Sequence, residues 1–369
     1  MKEEPRIVQI AHGKLIPQYS SAYAMRCIRY LSSFRSRVVF TTGGLIFHDE
    51  TQNKIKQYRS ILMTILAFLR GGRRLEIYLS RGKFVRKRYL NDLFTAVNEA
   101  EIVIFEGPWQ YYLVKNLLEG KLVIYDAHNV EASLRRGDPW ESYTKTLEQD
   151  LVKRSDHIIT VSEEDKATFI SFHGKETDKI SCIPEGYERP ACTWNGSSSK
   201  EIVFIGSAYL PNLEAAIIVI GLAEKMPHMT FKIIGSVCSS LKRKKVPKNV
   251  RLLGVIDEPE KEKEICNSLL AINPVSSGSG RNLKMLDYIS HGIPIITTEI
   301  GARGFPLNIK ETFSICNIEE FPEEIAIATK DLEKLKFDSS IMLKYAEGLN
   351  YQNTIEDTRA LIKSLMDKV

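Results

Sequence analysis

Residues 276–292 read SSGSGRNLKMLDYISHG, and this stretch decides the fold prediction for the 369-residue chain. A glycine-rich loop follows an apolar, strand-like run and leads into an amphipathic helical pattern that stops at Gly292. Gly278 and Gly280 allow the backbone to approach a ligand closely, and the free N–H groups of a helix N-terminus favour an anion such as a diphosphate. A plain flexible loop before a capped helix is the alternative, because G-x-G alone is a weak motif.

Charged side chains in the same stretch favour the ligand-binding interpretation. Arg281 and Lys284 add positive charge at the end of the helix where an anion would bind. Asp287 follows on the same predicted helix, where its carboxylate can accept hydrogen bonds from the hydroxyl groups of a ribose. The stretch therefore predicts a nucleotide site.

Outward from this stretch, short β-branched runs alternate with longer amphipathic runs, which is typical of βαβ units and parallel sheets. The predicted strands are residues 7–10, 38–41, 102–105, 122–125, 158–161, 180–183, 202–205, 231–234, 250–253, 269–272 and 294–297. The polar segment 192–200 (CTWNGSSSK) extends neither pattern and marks a domain boundary. The fold class is therefore α/β, with two doubly wound domains in tandem. Ligands of such sheets bind at the carboxyl ends of the strands.

A second polar cluster follows the strand at 122–125. Asp126, His128, Asn129 and Glu131 lie within six positions after this buried run. A lone histidine there is usually a hydrogen-bonded structural residue. Four polar groups at the end of one strand instead favour a chemical role.

Taken together, these segments resemble the retaining glycosyltransferases of family 4, which have the GT-B fold. The resemblance is carried, in the family's order, by VIYDAHNVEASLRR (123–136), IITVSEEDKATF (158–169), CIPEGY (182–187), IVFIGSAYLPNLEAA (202–216) and GSGRNLKMLDYISHGIPIITTEIGARGF (278–305). It implies two Rossmann-like domains that face each other across a cleft. Residues 1–191 would bind the acceptor, residues 192–345 the nucleotide sugar, and the C-terminal helix within 346–369 would pack back on the first domain.

The resemblance also implies roles for individual residues. Asp287 takes the place of the family's ribose-binding glutamate, and His128 that of a catalytic histidine near the transferred sugar. The implied donor-binding set is Gly206, Ser207, Gly278, Ser279, Gly280, Arg281, Asn282, Leu283, Lys284 and Asp287. Asp126, Asn129 and Glu131 are expected to bind the acceptor or to support the residues that do.

The chain departs from the family's pattern at three places. Ser279 stands where a glutamate normally contacts the donor sugar. Gly206, Ser207 and Ala208 stand where a diphosphate-binding arginine is expected, so Arg281 and Lys284 would have to replace it. The double glycine of the first βα loop is missing from residues 17–22 (PQYSSA), although Gly13 precedes them.

The expected activity is transfer of a hexose-type sugar from a nucleoside diphosphate sugar to an acceptor, with retention of configuration. No D-x-D motif occurs, so neither a metal nor another cofactor is expected. The helix N-terminus, Arg281 and Lys284 would neutralise the leaving diphosphate. Two alternatives stay open. One is a nucleotide-sugar epimerase, and the other is a degenerate GT-B protein that binds a sugar nucleotide without turnover, which the loss of the glutamate at Ser279 would favour.

The net charge of +5 conceals a concentrated basic segment, residues 54–90, with eleven basic side chains against the single acid Glu76. Its apolar run ILMTILAFL (61–69) is too short to span a bilayer. Apolar and basic residues together predict contact with an anionic membrane surface and a glycolipid or lipid-linked glycan as acceptor. A solvated helical face is the alternative. Nucleic acid is disfavoured as a partner, since no nucleic-acid-binding module accompanies the charge.

The N-terminal sequence MKEEPRIVQIAHG lacks the pattern of a secretion signal, so we expect a cytoplasmic protein, peripheral on the inner face of the membrane. The six cysteines lie far apart and include no C-x-x-C pair. This spacing predicts reduced, buried, structural thiols without a zinc site.

Overall fold

The computed structural model describes residues 4–15, 22–29, 32, 34–43, 46, 48–62, 65, 69, 75–82, 85–174, 176–196, 199–242, 244–277 and 281–368. The chain forms two compact units, one of Met1–Glu185 with Tyr351–Val369 and the other of Gly186–Asn350. The predicted α/β class with two parallel sheets is confirmed. The units divide between Glu185 and Gly186, a few residues before the predicted boundary at 191/192, and again between Asn350 and Tyr351, after the predicted boundary at 345/346.

The described part of the first unit contains an eight-stranded sheet in the order β3-β4-β2-β1-β5-β6-β7-β8. Its strands are β1 Ile7–His12, β2 Arg37–Thr42, β3 Glu50–Gln52, β4 Ile55–Tyr58, β5 Ile102–Phe105, β6 Leu122–Ala127, β7 His157–Thr160 and β8 Ile180–Cys182. Neighbouring strands are parallel except β3 and β4, which are antiparallel. The middle strands are covered on both faces, which explains apolar runs such as IVIF in β5.

Helices cover both faces of this sheet. They are Ala22–Arg29, Leu75–Ser80, Lys87–Glu99, Tyr111–Val114, Glu131–Leu134, Glu141–Arg154, Glu163–His173 and Tyr351–Met366. The last of these, at the C-terminus of the chain, buries Ile362 in a cluster with Ile7 and Ile102. The end of the chain therefore completes one face of the first sheet.

The described part of the second unit contains a six-stranded parallel sheet in the order β11-β10-β9-β12-β13-β14. Its strands are β9 Glu201–Ile205, β10 Thr230–Ile234, β11 Val250–Gly254, β12 Leu270–Asn273, β13 Ile295–Thr297 and β14 Ser314–Ile315. Its helices are Leu210–Lys225, Val237–Leu241, Glu258–Cys266, Lys284–His291, Leu307–Lys310, Phe321–Ala328 and Leu332–Glu347. They pack in two apolar clusters on the two faces of the sheet.

Three short strands were not predicted. β3 and β4 border or enter the basic segment, where polar residues interrupt the apolar pattern, and β14 is only two residues long. Such short strands carry too few apolar residues to produce a recognisable period. No described helix has both the length and the apolar character that a membrane span requires.

The expectation that all six cysteines are reduced is wrong for one pair. Cys192 and Cys266 form a disulfide, with Cα atoms 6.6 Å apart and 74 positions between them in the sequence. Folding brings the segment before β9 against the C-terminus of the helix Glu258–Cys266, a proximity that cysteine spacing cannot show. Cys27 and Cys238 are free and buried, as predicted.

Candidate active site

A polar cluster lies at the carboxyl ends of β9 and β12 in the second unit. Gly206 follows β9, and its N–H donates to the carbonyl of Ile234, 2.9 Å away. Gly235 approaches it so closely that a Cβ added at Gly235 would lie 2.3 Å from the Gly206 oxygen. Gly235 also has a φ of +106°, a conformation that suits glycine. These two glycines bring the loops after β9 and β10 together beside the cluster.

Lys284 is the cation of this cluster. Its Nζ donates to Asn212 Oδ1 at 2.6 Å and to Asn273 Oδ1 at 3.3 Å. The ammonium also lies 4.7 Å from the centre of the Phe204 ring. Both amide partners are neutral, and burial lowers the pKa of Lys284 to about 7. Lys284 has no acidic partner among the described residues, and such a partly dehydrated cation is well suited to meet an anionic ligand.

Ser207 belongs to the same cluster through Asn212. The amide nitrogen of Asn212 donates to Ser207 Oγ at 3.0 Å, while its oxygen accepts from Lys284. Two residues predicted to bind the donor, Ser207 and Lys284, are thus connected by a single side chain that the sequence analysis had not selected.

Asp287 lies on the helix Lys284–His291, and 34% of its side chain is exposed. Its Oδ1 accepts from Lys261 Nζ at 3.2 Å. Burial raises the pKa of Asp287, and the charge of Lys261 opposes that rise. The carboxylate retains acceptor sites for a hydroxyl group beside the ion pair.

Arg281 makes different contacts. Its guanidinium carbon lies 4.1 Å from the centre of the Phe305 ring, and Nη2 donates to the hydroxyl of Tyr345 at 3.2 Å. Asn282 donates to the carbonyl of Ile300, and Leu283 packs at the edge of the core. The contacts of Arg281 thus do not include the amides that hold Lys284.

Gly278, Ser279 and Gly280 lie outside the described residues. The predicted close approach of this loop to a diphosphate, and the consequence of Ser279, therefore stay predictions.

In the first unit, His128 forms a dyad with Glu106. Its Nε2 lies 2.7 Å from Glu106 Oε2, and the Glu106 side chain is fully buried. The same carboxylate accepts from Gln9 Nε2 at 2.5 Å and from Cys27 Sγ at 3.4 Å. Because a carboxylate accepts, we assign the His128 proton to Nε2, and the lone pair is then on Nδ1.

Aromatic rings flank the dyad. The Tyr23 and His128 ring centroids are 4.6 Å apart, and Tyr23 is the same distance from His12. The Tyr23 hydroxyl accepts from the His12 backbone N–H and lies 2.9 Å from His12 Nδ1. Burial, with the neighbouring charges of His128 and Arg135, lowers the pKa of His12 to about 3. His12 is therefore a neutral ring that can take a hydrogen bond from Tyr23.

Cys27, Glu106 and His128 also have ligand-type atoms within 4.8 Å of one another. Burial raises the pKa of the Cys27 thiol well above its usual range, and Glu106 raises it further. A protonated thiol that donates to a carboxylate is a poor metal ligand. The arrangement therefore favours orientation of the imidazole over metal binding.

Asp126 is fully buried and forms a bidentate ion pair with Arg26, with N–O distances of 3.0 and 2.8 Å. Arg26 also donates to the carbonyl of Ile183 at 3.0 Å. The pair joins the end of β6 to the helix Ala22–Arg29 and to the residue after β8. Buried in this ion pair, Asp126 is better placed to support the fold around the dyad than to contact an acceptor.

Glu131 begins the short helix after His128 and Asn129. Glu148 accepts from the backbone N–H groups of Glu131 and Ala132, at 2.9 and 3.0 Å, and so caps this helix. Burial raises the pKa of the Glu131 carboxyl to about 8, and the charge of Glu148 raises it further. Near neutral pH, Glu131 is thus mostly protonated and can donate a hydrogen bond. Asn129 is half-buried.

Three residues of the candidate site were not predicted from the sequence: Glu106, Asn212 and Asn273. Glu106 directly follows β5 and Asn273 ends β12, so the rule that ligands gather at the carboxyl ends of strands would have selected both. Asn212 lies in the first turn of a helix, where no such rule marks it.

Residues 199–334 match the family model described as Glycosyl transferases group 1. No curated protein matches the chain. Among solved structures, HepE from Anabaena in complex with UDP-glucose is similar, with a TM-score of 0.71 at 12% identity over 98% of this chain and 100% of that one. Sucrose-phosphate synthase from Thermosynechococcus elongatus gives a TM-score of 0.72 at 11% identity, over 98% and 99% of the two chains. A glycosyltransferase from Rickettsia africae gives 0.66 at 12% identity, over the same shares.

Proposed function

We propose that this chain, which matches the model of group 1 glycosyltransferases over residues 199–334 and has the fold of HepE, moves a hexose-type sugar from a nucleoside diphosphate sugar to an acceptor. The observation that carries the donor half of this proposal is the Lys284 ammonium, which lies among neutral amides at the carboxyl ends of β9 and β12. A diphosphate is the anion that the family's reaction releases.

Three of the predicted donor residues carry this scheme. Lys284 contacts the diphosphate, Ser207 lies beside it through Asn212, and Asp287 accepts from the ribose hydroxyls. The Lys284 ammonium, which the bound diphosphate keeps protonated, neutralises the leaving group, so the proposed transfer requires no metal ion. HepE was solved with UDP and with UDP-glucose, which makes uridine the first base to test.

His128 is the proposed catalytic residue of the first unit. With Nε2–H held by Glu106, its Nδ1 can accept a hydrogen bond from a hydroxyl of the sugar or acceptor. The neutral Glu131 carboxyl supplies a donor nearby in the chain. Retention of configuration is part of this proposal and rests on the family resemblance.

We further propose that the acceptor is a glycolipid or a lipid-linked glycan at an anionic membrane surface. Ile61, Leu62, Ile65 and Leu69 are helical, and between 38% and 73% of each is exposed. In the sequence, Ile61, Ile65 and Leu69 are spaced by four residues, the period that predicts one face of a helix. Arg59 and Lys87 are exposed nearby in the chain, whereas Arg86 and Arg88 pair with Asp49.

Arg70, Arg73, Arg74 and Lys83 contribute to the charge of the segment but lie outside the described residues. An exposed leucine that enters a bilayer interface is worth up to about 1.5 to 3 kcal/mol when fully buried. A basic residue near anionic lipid adds about 1 kcal/mol. A few of each are enough for reversible adsorption.

Donor binding is tested by calorimetry with UDP, UDP-glucose and uridine. Lys284→Ala should weaken UDP binding by about 1.5 to 3 kcal/mol and leave uridine binding nearly unchanged. Lys244→Ala removes an exposed lysine of the same unit and serves as the control. Equal losses for UDP and uridine would refute the diphosphate role of Lys284.

Sugar transfer or hydrolysis, measured on any donor that binds, separates the enzyme from the degenerate binder that Ser279 favours. A donor that binds tightly but is neither hydrolysed nor transferred in the presence of lipid-linked acceptors would support the binder.

The membrane proposal is tested by co-sedimentation with anionic and with neutral vesicles. Leu69→Ser should reduce binding to anionic vesicles, whereas Leu307→Ser, at an equally exposed leucine of the second unit, should not. High salt should release the protein. Failure of the wild-type protein to bind anionic vesicles at low salt would end this part of the proposal.

A further inference from the structure

A cluster outside the candidate active site joins the two sulfurs of the disulfide to a buried histidine. The Sγ atoms of Cys192 and Cys266 and a ring nitrogen of His291 all lie within 4.8 Å of one another. Three separate segments supply them: the chain before β9, the C-terminus of the helix Glu258–Cys266, and the C-terminus of the helix Lys284–His291.

The hydrogen bonds of His291 show which ring nitrogen is available to a metal ion. Its Nδ1 lies 2.6 Å from the carbonyl oxygen of Asp287. A carbonyl only accepts, so Nδ1 carries the proton and Nε2 carries the lone pair of the neutral ring. The residue is 2% exposed, and Nε2 has no hydrogen-bond partner among the described residues.

An unpartnered acceptor in a buried position is costly unless something binds to it. A histidine whose other ring nitrogen donates to a backbone carbonyl has the orientation that metal-binding histidines usually adopt. The partner missing from Nε2 is therefore consistent with a metal ion.

We propose that the reduced protein binds one zinc ion through Cys192 Sγ, Cys266 Sγ and His291 Nε2. Two thiolates and one imidazole are a ligand set that zinc prefers, and three protein ligands leave a fourth tetrahedral position for water. Zn–S bonds of about 2.3 Å and a Zn–N bond of about 2.0 Å place tetrahedral ligands roughly 3.5 to 3.8 Å apart. The observed cluster requires only a small movement to reach that spacing.

The disulfide and the zinc site exclude each other. A dithiol reductant supplies two electrons and two protons, becomes a cyclic disulfide itself, and leaves two protein thiols. Zinc then replaces the two thiol protons and releases them. The oxidised chain therefore provides a control of identical sequence that has no thiolate ligands at this position.

A zinc ion at this site would link the segment before β9 to the helices Glu258–Cys266 and Lys284–His291. The backbone N–H of Trp194, two residues after Cys192, donates to the carbonyl of His291 at 2.7 Å. The same helix carries Lys284 and Asp287. Bound zinc should therefore stabilise the second unit of the reduced protein as the disulfide does in the oxidised protein.

The proposal is tested by titrating the reduced, chelator-treated chain with zinc against a chromophoric chelator. We expect one tight site per chain, which is absent from the oxidised chain. Binding of Co²⁺ to the reduced wild-type protein should give the thiolate-to-cobalt charge-transfer absorption of a tetrahedral site. This spectrum requires no variant, so it does not depend on how a substitution folds.

Variants then assign the ligands. Zinc affinity should fall in each of three variants, Cys192→Ser, Cys266→Ser and His291→Asn. Loss of a hydrogen bond that supports a metal ligand lowers affinity roughly 10- to 100-fold, and loss of a ligand should lower it further. Asparagine can retain the donor to the Asp287 carbonyl while it removes Nε2. Cys238→Ser, at a buried thiol elsewhere in the unit, should leave the affinity unchanged.

Three results would overturn the proposal: absence of stoichiometric zinc in the reduced wild-type protein, a cobalt spectrum without thiolate bands, or unchanged affinity in His291→Asn. None of these measurements uses sugar transfer, so the result is independent of the proposed function.

Discussion

Binding of a nucleoside diphosphate should take up a proton at Lys284. Burial among neutral amides lowers the pKa of the free ammonium to about 7, so the free protein carries this charge only in part at neutral pH. A diphosphate placed against Nζ favours the charged form and raises the pKa again. Binding is then linked to protonation, and diphosphate affinity should fall as pH rises.

The size of this pH dependence follows from the pKa of Lys284 in the free protein. If Lys284 remains charged in the complex, affinity falls by about tenfold per pH unit above pH 7, which is about 1.4 kcal/mol per unit. Between pH 7 and pH 9 the loss should be roughly 50-fold. The terminal phosphate of the ligand is ionised above about pH 6 and adds little to this slope.

Calorimetry with UDP in buffers of different ionisation enthalpy measures both the affinity and the number of protons taken up. Uptake should approach one proton near pH 9. Lys284→Arg keeps a charge that does not titrate, and Lys284→Met removes the charge, so both variants should lose the slope. Uridine, which has no diphosphate, should show no slope with the wild-type protein.

The free protein gives an independent measurement of the same pKa. The pKa of Lys284 is lower in the folded protein than in the unfolded chain. Between about pH 7 and 10.4 the unfolded state therefore binds more protons, and the free energy of unfolding rises with pH. Lys284→Met should not show this rise, so its stability relative to the wild type should fall between about pH 7 and 10.4, whatever the cost of losing the two hydrogen bonds of Lys284. A wild-type affinity that does not change from pH 7 to pH 9, or a slope retained in Lys284→Met, would refute the reasoning.

Two further predictions concern the dyad and the close approach of two glycines. In Glu106→Gln, the new amide N–H group faces the N–H groups of Gln9 and His128 that the carboxylate now accepts from. The rate of sugar transfer should therefore fall toward the roughly 10²- to 10⁴-fold loss expected for His128→Ala. The affinity for the sugar nucleotide should be nearly unchanged, and the pH profile of kcat should be altered. An unchanged profile would reduce Glu106 to a packing role. Gly235→Ala should lower the free energy of unfolding in a denaturant titration by about 1 to 3 kcal/mol through strain at positive φ, and by more where the new Cβ meets the Gly206 oxygen. Gly254→Ala, also at positive φ but with open space around the Cβ, is the control and should cost less; equal costs would contradict the close approach.

The sequence predicted the two parallel sheets because their strands are apolar on both faces and produce unmistakable runs. IVIF in β5 and LVIY in β6 are buried throughout. The edge strands β3 and β14 have little apolar content, and their existence depends on pairing with neighbours. Tertiary contact decides such strands, so a periodicity analysis does not find them.

Side-chain partners were harder to predict than positions. The order of residues placed His128 and Lys284 after or near strand ends, but it did not show what each would contact. Lys284 donates to Asn212, 72 positions away, and His128 contacts Glu106, which directly follows the neighbouring strand β5. The bond between Cys192 and Cys266 is a case of the same kind. Contacts over such separations are produced by the register of the sheet and are not encoded in local spacing.

The two cations predicted to bind the diphosphate, Lys284 and Arg281, differ in their present contacts. Arg281 lies over the Phe305 ring and donates to Tyr345, so an aromatic face and a hydroxyl compensate part of its charge, while its buried Nε has no partner among the described residues. In the part of the chain that the structure describes, the Lys284 ammonium contacts neutral amides and the Phe204 ring, and its lowered pKa indicates how poorly those groups replace water. An incoming diphosphate relieves that penalty at Lys284, whereas Arg281 would first have to leave its present contacts. Of the two cations, Lys284 should therefore make the larger contribution to donor affinity, and Arg281→Ala should weaken UDP binding less than Lys284→Ala does.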